Sequence, residues 1–302
     1  MPQDFTMRQL RYFVAAAESG QFSMAATNEH ISQSAVTNAV STLEEILGTR
    51  LFDRLPHGVS LTLDGHDFYY HARHVIDSLS DALHKSRSRS RDAQGVVRIG
   101  ASYTVMGYFL PEVLARFRAS YPHIHFELHD LDRETLEQAV VSGRIDIGIA
   151  LLSNVTAINR FEHRSLIRSH RKLWVAPAHP LAQLSNPSLR DIAEHPYIML
   201  TVDEGEESTM RYWRRQKQAP KVILRTGSME ALRGFVSHGF GVTILSEMVF
   251  RPWSLEGKRI EARDVATAIP PMDVGMLWRK NTAPSPPART FIDFLTYSGQ
   301  RG

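Results

Sequence analysis

The stretch from Phe22 to Arg54, FSMAATNEHISQSAVTNAVSTLEEILGTRLFDR, constrains the fold of this chain more than any other. It holds two helix-forming runs joined by a turn of about three or four residues, the spacing of a helix-turn-helix. Ser23 reads as the N-cap of a short helix through His30, in which Ala25 and Ala26 pack closely. Ser32 reads as the N-cap of a second helix that runs to about Leu47 and stops at Gly48. On this second helix Ala35, Val36, Ala39, Val40 and Leu43 share one face, and Gln33, Ser34, Thr37, Asn38 and Ser41 share the other. Ahead of the pair, Leu10, Phe13, Val14 and Ala17 recur at helical spacing before Gly20 closes the run. Behind it, RLFDRLPHGVSLTLDG predicts two short strands around Pro56-His57-Gly58, a wing.

An outward helix face made of short hydroxyl and carboxamide side chains is suited to reading base edges in a major groove. Charge argues for placed contacts over a broad basic face. Residues 1–60 carry Arg8, Arg11, Arg50 and Arg54 against Asp4, Glu18, Glu29, Glu44, Glu45 and Asp53, so this segment is net acidic although the chain is +3 overall. Phosphates would be held by helix amides and a few side chains.

From residue 64 to 91 the pattern predicts one long helix, with Phe68, Ala72, Val75, Ile76, Leu79, Ala82 and Leu83 forming a stripe for pairing with another helix. It ends in KSRSRSRDAQG, read as a solvated basic hinge in preference to a phosphate-binding segment. After Gly95 the texture changes. VVRIGAS, HIHFELHD and RIDIGIA read as strands alternating with the helices YFLPEVLARFRASYP and DRETLEQAVVSG, the order of a parallel sheet. A second set of strands and helices follows from KLWVAPA to GVTILSE, and MDVGMLWRK with a last helix completes the chain. Two α/β lobes with a returning segment leave a cleft between them.

Taken together, LRYFVAAAESGQFSMAA, ISQSAVTNAVSTLEEILGTRLFDR, GVSLTLDG, GRIDIGIA and HGFGVTIL resemble the LysR-type transcriptional regulators, in that family's order and spacing. The resemblance implies an α/β protein with an N-terminal winged helix-turn-helix (residues 1–63), a linker helix and hinge (64–94) and a periplasmic-binding-protein-like effector domain (95–302). Its first lobe would hold about 95–165 and 268–302, and its second about 166–267. It also implies homodimers or homotetramers on double-stranded promoter DNA, RNA polymerase as a partner and a small-molecule effector. By matching positions, DNA contacts fall to Ser23, Met24, Ser32, Gln33, Ser34, Thr37, Asn38, Ser41, Arg54 and His57. Where Ser34 stands the family usually has proline, a preorganised first-turn residue.

For the effector the matching positions are Ser102, Thr104, Thr201, Ser228, Val242 and Thr243. Hydroxyls and free amides at strand-to-helix junctions bind carboxylates; Ser102 and Ser228 also fit plain capping roles. Glu206 and Glu207 in VDEGEES read either as acids favoured in a helix's first turn or as partners for an amine-bearing effector. No cofactor is implied. His123 with His125, and His71 with His74, lack the partners of a metal site. Gly239-Phe240-Gly241 lacks the third glycine of a dinucleotide fingerprint.

The chain of 302 residues holds 43% hydrophobic and 22% charged residues and no cysteine, which excludes disulfides and thiolate metal sites. No apolar run approaches the ~20 residues of a membrane span. No secretory signal opens the sequence, so a cytoplasmic location is expected. Two rival readings remain at this level: a solute-binding sensor with an N-terminal dimerisation module, and an enzyme with its chemistry in the cleft.

Overall fold

A computed structural model describes residues 5–55, 58–87 and 94–299, and the chain divides into two compact units, residues 1–88 and 89–302. In the first unit α1 (Met7–Ser19) opens on a capping box: the Thr6 hydroxyl accepts the Gln9 amide, and the Gln9 side chain accepts the Thr6 amide. It closes at Gly20, whose φ of +67° suits a residue without Cβ. Helix α2 (Phe22–Asn28) begins earlier than expected. Gln21 is its cap, and Ser23 lies inside the first turn instead of capping it. The cause is Phe22, whose ring meets Phe52 edge-on at 5.4 Å and draws the first turn onto the core.

Helix α3 (Gln33–Leu47) has Ser32 as its cap, with Oγ accepting the Ala35 amide at 3.2 Å. Strands β1 (Phe52–Leu55) and β2 (Gly58–Leu61) pair antiparallel as the wing. Helix α4 (Leu63–Arg87) follows. Phe13, fully buried, touches Phe52 at 5.4 Å and Phe68 at 5.0 Å, tying α1 to the wing and to α4. Of the α4 stripe, Ala72 is buried and Phe68 and Ile76 pack partly on this core, whereas Val75 and Leu79 are exposed. His57 and residues 88–93 of the basic hinge lie outside the described residues.

The second unit runs β3 (Gly95–Ala101), α5 (Tyr103–Tyr108), α6 (Leu110–Ser120), β4 (Ile124–Asp130), α7 (Arg133–Ser142), β5 (Ile147–Leu151) and β6 (Phe161–Ser169). It continues with β7 (Arg171–Val175), α8 (Leu189–Ala193), β8 (Pro196–Leu200), α9 (Gly205–Arg215), β9 (Lys221–Thr226), α10 (Met229–Ser237), β10 (Thr243–Ser246) and β11 (Glu261–Arg263). Last come β12 (Met272–Arg279) and α11 (Pro286–Gly299).

One lobe holds a five-stranded sheet in the order β4-β3-β5-β12-β6. Strands β4, β3 and β5 are parallel, as expected, and β12 inserts antiparallel between β5 and β6. Central β5 is buried along its whole length, which is why its sequence is a continuous apolar run. The other lobe orders β10-β7-β11 antiparallel beside the parallel pair β8-β9, and a bridge from Tyr197 to Val242 joins the two sets.

Two expectations change. The helix read from YFLPEVLARFRASYP is α6, which starts at Leu110 with Pro111 in its first turn; Tyr108 instead ends α5, a short helix that was not anticipated, and Phe109 (φ −121°) separates the two. Strand β6 was not anticipated, and it stays in the first lobe's sheet to Ser169, past the boundary expected near 165. Four consecutive exposed residues of this edge strand hide the alternation by which strands are read.

Candidate functional site

The outward face of α3 is the first candidate surface. Gln33, Ser34 and Asn38 are exposed, while Thr37 and Ser41 are half-buried. Two hydroxyls already have local duties: the Thr37 hydroxyl donates to the Gln33 carbonyl at 3.0 Å, and Ser32 Oγ lies 3.0 Å from Ser34 Oγ. That leaves the Gln33 and Asn38 carboxamides as the full donor–acceptor groups on this face. Ser23 and Met24, both exposed, stand on the first turn of α2.

Gln33, Ser23 and Arg54 line one groove of about 450 Å³ with Gln21, Gly58 and Val59. The wing is held there by the Val59 amide donating to the Gly20 carbonyl at 2.8 Å. A Cβ on Gly58 would stand 2.4 Å from that carbonyl oxygen, so only glycine permits the approach. The net acidity of this unit is largely internal. Glu29 pairs with Arg11 at 2.8 Å, Glu18 with Arg73 at 2.5 Å, and Glu44 accepts the Leu51 and Phe52 amides at 2.8 and 3.2 Å. Arg54 remains exposed at the groove.

In the second unit the two lobes face each other through the segments that follow β3, β5 and β8. The lobes are stitched where the chain crosses between them: Ser246 Oγ donates to Ser169 Oγ at 2.7 Å, and the Glu247 amide to the His170 carbonyl at 2.8 Å. Across the crevice the Thr104 amide donates to Asp203 Oδ2 at 2.7 Å, Asn154 Nδ2 to the Asp203 carbonyl at 2.7 Å, and Arg133 Nε to Glu204 at 3.2 Å. Burial pushes the Glu204 carboxyl above the usual range, with the attraction of Arg133 opposing it.

Ser102 sits at the end of β3, 3% exposed, and its hydroxyl has no partner, nor does Asn154 Oδ1. The unsatisfied hydroxyl is one a ligand can engage. Thr201 and Ser228 lie together at the ends of β8 and β9, where the Thr201 amide donates to the Thr226 carbonyl. Ser228 caps α10, its hydroxyl accepting the Ala231 amide at 3.1 Å.

Val242 and Thr243 are buried but stand apart. Val242 bridges Tyr197 near the start of β8, four residues before Thr201, about 13 Å away at ~3.3 Å per residue. Glu206 and Glu207 occupy the first turn of α9, and Glu206 pairs with Arg225 at 3.0 Å on the outer strand. The acids that cross the crevice are their neighbours Asp203 and Glu204. Sequence reasoning chose Glu206 and Glu207 from the acidic loop where the structure brings Asp203 and Glu204 across, and it missed Asn154 and Arg133. No local pattern distinguishes an acid that caps a helix from one that reaches across a cleft.

Among the described residues no helix is long and apolar enough to cross a membrane. A winged helix-turn-helix joined to a two-lobed α/β sensor is the build of a ligand-controlled DNA-binding regulator. The chain belongs to the LysR family: residues 7–66 match the bacterial regulatory helix-turn-helix protein of the lysR family, and residues 90–299 the LysR substrate binding domain. It is a LysR-type transcriptional regulator with an effector-binding domain. It is 30% identical to the HTH-type transcriptional regulator YeiE of Escherichia coli strain K12 over 96% of each chain. It is similar to the crystal structure of HinK, a LysR family regulator from Pseudomonas aeruginosa, at 27% identity, covering 99% of each chain with a TM-score of 0.64. Its fold also matches full-length CbnR in complex with its target DNA, at 20% identity, 98% and 100% coverage and a TM-score of 0.57.

Proposed function

We propose that residues 1–63 read promoter DNA through the outward face of α3, with Gln33, Ser34, Thr37 and Asn38 toward base edges and Ser23, Met24, Ser32, Ser41 and Arg54 toward the backbone or groove walls. His57 belongs to the same group as a residue of the wing turn. The observation that carries this reading is the exposed pair of carboxamides on one helix, Gln33 and Asn38, the first of which lines a groove with Arg54. Residues 64–94 pair subunits, and two recognition helices then meet half-sites about one DNA turn apart. The pairs assemble as homotetramers, act in the cytoplasm and engage RNA polymerase.

Residues 95–302 bind a small molecule in the crevice, with Ser102, Thr104, Thr201 and Ser228 as its contacts, and act as a sensor without catalysis. The unpartnered Ser102 hydroxyl supports this placement. A ligand changes transcription only to the extent that its affinity differs between arrangements of the lobes. Footprinting on DNA upstream of the protein's own gene tests the DNA-binding part. Asn38→Ala should weaken that site about 10–100-fold, the worth of one bidentate base contact, while leaving affinity for random duplex nearly unchanged. Equal losses on both duplexes would refute base reading by this helix.

A further inference from the structure

Asp203 and Glu204 are consecutive non-glycine residues with φ of +51° and +54°. Aspartate tolerates the left-handed region; glutamate seldom visits it, so the turn is held against its own preference. What holds it is a set of contacts to the opposite lobe. The Asp203 carboxylate and carbonyl take the Thr104 amide and the Asn154 amide group, and Glu204 takes Arg133, which also donates to Glu137 at 2.9 Å. Every contact that the opposite wall makes to this turn is therefore a donation, and beside them the buried Ser102 hydroxyl and Asn154 Oδ1 are unsatisfied. A second contact lies toward the hinge side: Arg233 of α10, 2% exposed, donates to the Tyr108 hydroxyl of α5 at 2.9 Å and to the Val249 carbonyl.

We propose that the Asp203–Glu204 turn is a latch that closes the crevice with the protein's own carboxylate, standing in for the acceptor group of an effector, which must displace it to enter. This rests on the reading of the crevice as the effector site. Because the displaced partner is a carboxylate bound by donors, the competing group is itself an acceptor or anion, not an amine. Of the acids that an amine would have met, Glu206 is paired with Arg225, and Glu207 stands exposed on the first turn of α9.

Amide hydrogen exchange of the full-length protein tests the latch without any ligand. Asp203→Gly suits the left-handed backbone and removes the side chain, so folding is not threatened. It should raise exchange in the peptide covering Thr104 tenfold or more, with β12 peptides unchanged. Arg133→Met touches neither Thr104 nor Asp203, yet it should raise the same peptide's exchange, because both contacts secure one turn. If either variant leaves Thr104 as protected as in the wild type, the latch is refuted.

In Asp203→Gly, acetate at constant ionic strength should restore the protection where chloride does not. Failure of acetate would overturn the stand-in role. Footprints of the wild type and Asp203→Gly, run beside these measurements, should differ in extent, and identical footprints would overturn regulation through the latch. A wild type with no footprint at all would count against the proposed DNA binding, while the exchange data still decide the latch.

Discussion

Phe13→Ala should strongly destabilise the DNA-binding unit and leave the sensor unchanged. Phe13 is fully buried and its ring touches Phe52 of the wing and Phe68 of α4, so one truncation loosens three elements at once. Emptying a core phenylalanine site costs about 3–5 kcal/mol. A unit of this size holds only ~5–10 kcal/mol in total. At ~4–8 °C per kcal/mol, its melting transition should drop by on the order of 15–30 °C.

The sequence supplies its own reporter. All four tryptophans, Trp174, Trp213, Trp253 and Trp278, lie in the second unit. Tryptophan fluorescence should therefore show an unchanged melt, while circular dichroism at a helical wavelength acquires a separate early transition. The promoter footprint should vanish with that early phase. A circular-dichroism melt displaced by less than about 4 °C, the equivalent of ~1 kcal/mol, would show that Phe13 is not the keystone of this core.

Two further outcomes follow from other contacts. Gly58→Ala places a Cβ 2.4 Å from the Gly20 carbonyl oxygen, so the wing must shift; the first transition should lose about 1–3 kcal/mol and promoter affinity should fall with it. Retention of full promoter affinity by that variant would show the wing is not held at Gly20 when DNA is bound. His179 accepts the Leu181 amide through Nδ1, and burial, helped by the neighbouring His195, pulls its pKa below the usual range. The neutral form is the one the fold favours. This contribution is present above the unfolded value of ~6.5 and is lost as pH falls through it toward the folded pKa. Between pH 7.5 and 5.5 the fluorescence melt of the wild type should fall further than that of His179→Asn, and equal slopes would dismiss the effect.

Much of the outward face of α3 is legible in the amino-acid pattern. Ser32 caps α3 as its position predicts, and the apolar and polar residues of that helix separate onto opposite faces because a period of 3.6 leaves little freedom. Ser23 shows the limit. Its residue type suits a cap, yet the burial of Phe22 against Phe52 moves the helix start to Gln21, since a core contact outweighs a capping preference.

In the sensor the elements are mostly legible and their meeting points are not. Thr201 and Ser228 come together because β8 and β9 pair in parallel, whereas Val242 bridges Tyr197 near the start of β8 and Thr243 pairs with Trp174 of β7 in the neighbouring sheet. Glu206 and Asp203 are three residues apart in the chain, yet one pairs with the outer strand and the other crosses to the facing lobe. By itself the sequence determined the periodic things: helix faces, strand runs, caps, and through them the family and its division into reader and sensor. Tertiary structure alone decided which acid of one loop spans the crevice, because that depends on two left-handed residues held by Thr104, Asn154 and Arg133, distant in sequence and adjacent only in space.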